Sequence, residues 1–406
     1  MSENMILAGL DIGNGYVKAM LSSETNEKPE GIRFSSSAAY VTQSHDIKTP
    51  EAQAKDVLDD IYNTMDVSFE SPLVKTGVRR LFGRRGLQSG LPVEEFDVYS
   101  HISKAKQDLS GILVLGTLAG KALRDYYAQH EALPRELLQV QARIALALPI
   151  NEYKKYRVQY AEGFLQNTHI LTFHNFEFPV RIEIDIQDVQ CVAEGAAAQY
   201  AIVAEGEPLM DSMLQDVRRL GEELPGVTSR DVLNAMNTIS VDIGEGTVNF
   251  PVFQNGKFNP DASLTFDEGY GTVLVHVLDR LQDMGMAFKN RKELADFLQT
   301  PPTVLNKRRY DRVKSVLNEE MESFANSVSM QFIKVLSRVG SYIEVVYVYG
   351  GGATPMKEIL HPMLVNTSKN FGGDDISYPV LYLDSRYSQY LNRKGLYTIA
   401  HKMYNS

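Results

Sequence analysis

The sequence predicts an α/β protein of two related lobes with a cleft between them. Two observations carry this. A strand–tight turn–strand unit built on Asp-x-Gly-x-Gly occurs twice, at residues 5–21 and 238–253, and each copy opens a mixed α/β segment. The chain has 406 residues, 44% of them hydrophobic, which is material for two domains of ordinary size. Such a duplication in outline differs from a short-period solenoid.

Taken in order, Met5 to Ile12 reads as a buried strand, followed by a Gly-rich turn and a second strand, Tyr16 to Leu21. Residues 30–110 are mixed. Pro50 to Met65 carries Ala54, Val57, Leu58, Ile61 and Met65 at helical spacing. The basic run Arg79 to Gly86 reads as a solvated loop, and it is the one place where a nucleic acid or acidic surface would be touched. Ile112–Leu115 and Ile144–Leu148 are short apolar runs of the kind found in central parallel strands, with a helix from about Gly116 to His130. Phe178 to Ile186 alternates, with Val180, Ile182, Ile184 and Ile186 on one face. A small-residue helix follows at Glu194 to Tyr200.

Residues 204–236 are polar and acidic and read as a surface insertion. Thr238 to Ile243 is a strand, Gly244-Glu245-Gly246 a turn, and Thr247 to Phe253 a strand. Gly271–Met284 and Tyr310–Val339 are amphipathic helices. Glu344 to Tyr349 is a buried strand running into Gly350-Gly351-Gly352, and the last helix spans about Asn392 to Met403. The domain organisation expected is lobe I at 1–155, with an insertion at about 30–110, completed by a C-terminal helix at about 388–406. Lobe II is then 156–387, with insertions at about 204–236 and 272–338.

Composition excludes several classes. The net charge is -10, which disfavours direct binding along a phosphate backbone. The single cysteine, Cys191, lies in an apolar run and reads as a buried, inert thiol, and no disulfide or Cys-based metal site is available. No stretch approaches the roughly 18 apolar residues of a membrane span, and no basic leader opens the chain, so a cytoplasmic location is expected. There is no Gly-x4-Gly-Lys-[Ser/Thr] loop and no His-x-x-x-His or His-Glu-x-x-His pair, against a P-loop NTPase and a metal hydrolase. A dinucleotide fingerprint fails because Lys18 stands where its third glycine belongs and a strand follows.

The chemistry lies in three loops. The first is Asp11-Ile12-Gly13-Asn14-Gly15-Tyr16-Val17-Lys18, the second Asp242-Ile243-Gly244-Glu245-Gly246-Thr247. In each, an Asp ends a strand and glycines make a hairpin, where positive φ or close approach of backbone to a ligand is expected. Successive N–H groups in such turns form an anion-binding concavity. Asp11 and Asp242 suit Mg²⁺ held mostly through water. Lys18, on the outgoing strand, suits a β-phosphate as a point charge. The third loop, Gly350-Gly351-Gly352-Ala353, follows a buried strand and precedes a helix, and its glycines let backbone lie against a flat adenine or ribose.

This order of loops resembles the actin/Hsp70/sugar-kinase superfamily, whose lobes are duplicated ribonuclease-H-like domains. Asp11, Gly13, Gly15 and Lys18 match its first phosphate motif, and Asp242, Gly244 and Gly246 its second. Glu194-Gly195-Ala196-Ala197 and Asn392-Arg393-Lys394-Gly395-Leu396 are similar to its two connecting helices. Within the superfamily the chain is most similar to the ParM/StbA-like plasmid-segregating actins. The resemblance implies an actin-like ATPase that binds ATP (or GTP) with Mg²⁺ and polymerises into filaments. It also implies that Glu194 positions the attacking water, and that plasmid DNA is moved through a DNA-binding adaptor, with no direct DNA contact and no membrane. A small-molecule kinase, a chaperone-like ATPase and a different cytoskeletal filament are the alternatives.

Overall fold

The computed structural model describes residues 4–41, 48–74, 78–97, 102–165, 167–221, 224–340, 342–372, 378–383, 387 and 390–405. It divides into two compact units, 1–201 with 392–406, and 202–391. The boundary expected at 155 lies inside the first unit. The reason is strand pairing: Val180–Ala193 runs parallel to Leu138–Leu148 from Ile182↔Leu138 to Ala193↔Leu148, so the chain up to that point belongs to one sheet.

In the first unit the strands are β1 (Asn4–Ile12), β2 (Tyr16–Ser23), β3 (Asn26–Ser35), β4 (Ser37–Tyr40), β5 (Asp66–Glu70), β6 (Arg79–Phe82), β7 (Val93–Glu95), β8 (Leu138–Leu148), β9 (His169–Phe173) and β10 (Val180–Ala193). They form one sheet in the order β3-β2-β1-β8-β10-β9-β5-β6-β4-β7. Its centre, β1, β8 and β10, is parallel, while β1–β2 is an antiparallel hairpin. Residues 30–110 therefore do more than interrupt the lobe, since β4–β7 extend its sheet.

Helices of this unit are α1 (Ala54–Asp59), α2 (Ile61–Thr64), α3 (Gly83–Gln88), α4 (Asp108–His130), α5 (Ile150–Leu165) and α6 (Ala196–Glu205, which crosses into the second unit). Ile112–Leu115, expected as a strand, is the second turn of α4. Nearly every residue from Leu109 to Leu123 is buried there, so no polar face marks the helical period, and an apolar run of four fits either element. Gly116 and Gly120 let α4 rest on aromatic rings; a Cβ would lie 2.7 Å from Phe82 and 2.8 Å from Tyr62 ring atoms.

The basic run at 79–86 is not a solvated loop. It forms β6 and the start of α3. Arg79 and Arg85 both pair with the fully buried Asp66, Arg84 pairs with Asp60, and Arg80 is fully buried with its guanidinium 3.7 Å from the Tyr40 ring centroid. These cations are turned to structural partners, because a buried charge must be paired.

The second unit has α7 (Glu207–Arg219), α8 (Ser229–Leu233), β11 (Thr238–Ile243), β12 (Val248–Phe250), β13 (Val252–Gln254), β14 (Lys257–Phe258), β15 (Leu264–Phe266), α9 (Tyr270–Asp283), α10 (Arg291–Gln299), α11 (Lys307–Val339), β16 (Val345–Tyr349), α12 (Ala353–Gly372) and β17 (Val380–Tyr382). β11 is parallel to β16, which is parallel to β17, and antiparallel to β12 and β13. The outgoing strand breaks at Pro251, which has no N–H to donate but whose carbonyl accepts from Ser240. The segment expected as a surface insertion at 204–236 is packed: α7 buries Leu209, Met210, Met213, Leu214 and Val217.

The two sheets thus repeat one plan. A strand ending in Asp has an antiparallel hairpin partner on one side and two parallel strands, in series, on the other. A final helix, Leu391–Asn405, covers β1 of the first unit, and only glycine fits at the contact: a Cβ on Gly9 would lie 2.1 Å from the Tyr397 nitrogen.

Candidate functional site

Each unit gathers its chemistry at the carboxyl ends of its parallel strands, the position where open α/β sheets place ligands. In the first unit, Asp11 stands near the end of β1, beside the hairpin turn into β2. Gly13 N–H donates to the Tyr16 carbonyl (3.1 Å) and Ser36 N–H to the Gly15 carbonyl (3.0 Å). The turn needs glycine for space: a Cβ on Gly13 would lie 2.9 Å from the Tyr16 oxygen. None of Gly13, Gly15, Gly244 and Gly246 has the positive φ expected from the sequence. Asn14 and Gly15 are half-buried, and Tyr16 is exposed with Arg33 stacked 3.9 Å from its ring centroid.

Asp11 is paired in register with Lys18 across the hairpin. It is buried, and burial pushes its carboxyl above the usual aspartate value; Lys18, Lys104 and Arg393 pull it down and Glu194 adds to the rise. Glu194 follows β10 by one residue. Its N–H donates to the Leu148 carbonyl at the end of β8 (2.7 Å), and Gly195 takes φ +79° to turn the chain into α6. A residue with a Cβ would be strained there.

One member of this cluster escaped sequence reasoning. Lys104, 6% exposed, donates from Nζ to Glu194 Oε1 (2.7 Å) and to the Ile12 carbonyl (2.8 Å). Burial alone would lower its pKa. The charge and hydrogen bond of Glu194, with Asp11 and Glu152, outweigh burial and hold the lysine above its ordinary value. Its backbone is set by Ser103, which caps the short turn through the Ala105 N–H and donates to Glu152 Oε2 at 2.5 Å. Ninety residues separate Lys104 from Glu194, and a lone lysine in a mixed segment carries no motif.

In the second unit, Asp242 is buried on β11, opposite Asn249. The turn repeats the first: Gly244 N–H donates to the Thr247 carbonyl (2.9 Å), and a Cβ on Gly244 would lie 3.0 Å from that oxygen. The start of α9 straps it, with Tyr270 N–H on the Gly244 carbonyl (3.0 Å) and Gly271 N–H on the Glu245 carbonyl (2.8 Å). Glu245 is exposed and pairs with Arg291 at 3.0 Å. Gly246 and Thr247 are half-buried.

The Gly350-Gly351-Gly352 turn joins β16 to α12 against this loop. Gly350 has φ +100°, and a Cβ would lie 2.6 Å from Asp242 Oδ1 and 2.4 Å from the Ile243 oxygen. Gly352 N–H donates to the Ile243 carbonyl (2.9 Å), and its α-carbon side faces the Ile243 and Tyr270 side chains. Gly351, between them, is exposed with open space where a side chain would be, and Ala353 is buried. The structure therefore brings Asp11, Gly13–Lys18 and Glu194 together in one unit, and Asp242–Thr247 with Gly350–Ala353 in the other.

The model for the N-terminal domain of actin-like proteins matches residues 9–196, and the model for the C-terminal part of the archaeal actin homologue MreB-like matches 240–362. The chain has the actin-like fold.

Among solved structures, it is similar to Bacillus thuringiensis ParM with ATP (17% identity, 99% of this chain and 100% of that chain, TM-score 0.62). It is also similar to an archaeal actin homolog (12% identity, 98% and 100%, TM-score 0.61) and to the apo psk41 ParM protein (16% identity, 99% and 98%, TM-score 0.54). No curated protein sequence matches the chain significantly. Among the described residues, no helix is long and apolar enough to cross a membrane.

Proposed function

We propose that this chain is an ATPase that polymerises into filaments with ATP and Mg²⁺ and segregates plasmid DNA through a DNA-binding adaptor. The observation that carries the reading is the repeated turn. Twice, a buried Asp closes a strand beside a hairpin whose Gly N–H is tied to the carbonyl three residues on. Backbone N–H groups at such turns suit phosphate oxygens. Bacillus thuringiensis ParM was solved with ATP, ADP and AMPPNP, which supports a nucleotide as the occupant.

In this reading Gly13–Lys18 and Gly244–Thr247 contact phosphates, and the open backbone at Gly351 lies against the nucleoside. Asp11 and Asp242 would hold Mg²⁺. Both carboxylates are buried close to the ends of their strands, and a cation of this kind keeps several of its own waters. When bound, the cation supplies charge neutralisation on the phosphates. Glu194 accepts from and orients the water for in-line attack on the γ-phosphate. The net charge of -10 supports an adaptor in place of direct DNA contact.

The test is light scattering and phosphate release with purified protein. Scattering should rise on adding Mg-ATP at tens of micromolar protein and decay as phosphate appears. A chain that stays monomeric and converts ATP to ADP only when a small hydroxylated acceptor is supplied, with the phosphoryl group recovered on that acceptor and no free phosphate released, is instead a kinase of the same fold.

A further inference from the structure

We infer that Lys104 is the positioning residue for Glu194, and that it couples this carboxylate to the backbone of the first phosphate loop. The inference rests on the ATPase reading above and deepens it.

Lys104 and Glu194 are both at least nine-tenths buried. A buried ammonium persists only when its donors are satisfied. Two of its three donors go to fixed acceptors, Glu194 Oε1 at 2.7 Å and the Ile12 carbonyl at 2.8 Å. Ile12 lies between Asp11 and Gly13, so any shift of the phosphate loop moves one end of this link. Glu194 is fixed through its own backbone to Leu148, yet its side chain still has rotamers to choose among. The ammonium selects one of them.

The anchoring of Lys104 supports a positioning role. Its neighbour Ser103 is tied to Glu152 on α5, and Lys106 N–H closes the turn on the Ser103 carbonyl (2.9 Å). The Phe96 ring stands 5.7 Å from Nζ. The lysine thus enters on a pinned backbone, beside an aromatic wall, and ends between the loop and the carboxylate. In the ATPase reading, the state of the loop at Ile12 is passed to the group that orients water.

The experiment compares Lys104→Met, Glu194→Gln and the double variant with the wild type. It measures fluorescent-ATP affinity, kcat and KM for ATP, and the thermal melt. A misplaced catalytic group costs on the order of 100-fold. Lys104→Met should therefore lose about 10- to 100-fold in kcat while nucleotide affinity stays within about threefold. Lys104→Arg should recover part of the loss. The double variant should be no slower than Glu194→Gln alone, because both act through one group.

Should Lys104→Met not fold, Lys104→Gln keeps a donor at that place and is expected to show the same loss in kcat. Wild-type kcat in a folded Lys104 variant, or losses that multiply in the double variant, would overturn the inference while leaving the ATPase reading intact. Absence of hydrolysis by the wild type would overturn both.

Discussion

Gly395 on the C-terminal helix lies so close to Ala197 on α6 that a Cβ would stand 1.8 Å from the Ala197 carbonyl oxygen. The residues between them in sequence include the whole second unit, so this contact closes the first unit from its two ends. Gly395→Ala forces the helices apart. Overpacking of this kind costs about 1–3 kcal/mol, and here the clash is with backbone. The urea midpoint should fall with little change in slope.

Asp66 holds Arg79 and Arg85 at once, with no exposure of its own. Asp66→Asn keeps the shape and removes the charge that both guanidinium groups face. Breaking a buried pair from one side costs about 3–5 kcal/mol. Equilibrium denaturation reads this directly, and a loss under about 1 kcal/mol would mean the arginines find other partners.

Asp11 should act against stability. Burial raises its folded pKa above the unfolded value, so the native state binds the proton more tightly. Stability contributed by this group is then greatest at acid pH and is lost as pH rises from the unfolded value, 3.8, through the raised folded value. Asp11→Asn should therefore melt higher than the wild type at pH 7. The advantage should vanish below about pH 4. Nucleotide affinity in the presence of Mg²⁺ should fall in the same variant.

Cys191 is buried, and its thiol is pushed up to about 12 by that burial. The native protein should react slowly with a thiol reagent at pH 8, and promptly once unfolded, because the thiolate is the nucleophile. Fast labelling of the native protein would place Cys191 outside the core.

Gly350→Ala tests the third loop. Its φ of +100° and the approach to Asp242 Oδ1 leave no room for a methyl group. Strain of about 1–3 kcal/mol is expected, with Asp242 displaced. Gly351→Ala, by contrast, meets open space and should leave the melt unchanged while weakening nucleotide binding.

Much of this was legible in the sequence, for reasons visible in particular residues. The two turns announce themselves because a tight hairpin beside a buried strand needs small residues at fixed spacing, and Gly13 and Gly244 sit where a side chain would strike backbone. The alternation of Val180, Ile182, Ile184 and Ile186 survives as β10, since one face of that strand is buried and the other is not. What misled was burial on all sides. Ile112–Leu115 has no polar face, so its period is invisible. The run Arg79–Arg85 looks like surface because its counter-charge, Asp66, is distant in sequence. Lys104 was illegible for the same reason: its meaning lies in Glu194 and Ile12, which only the fold brings near.

The first unit is split in sequence, and this sets an order of assembly. The second unit, 202–391, is one unbroken stretch and has all its strands before the last helix is synthesised. The first unit begins earlier but lacks its closing helix until residues 392–406 emerge from the ribosome. Until then the Gly9 face of β1 and the small-residue end of α6 stand uncovered. The half that is made first is the half that finishes last. A nascent chain halted before residue 391 would be the form most in need of a chaperone.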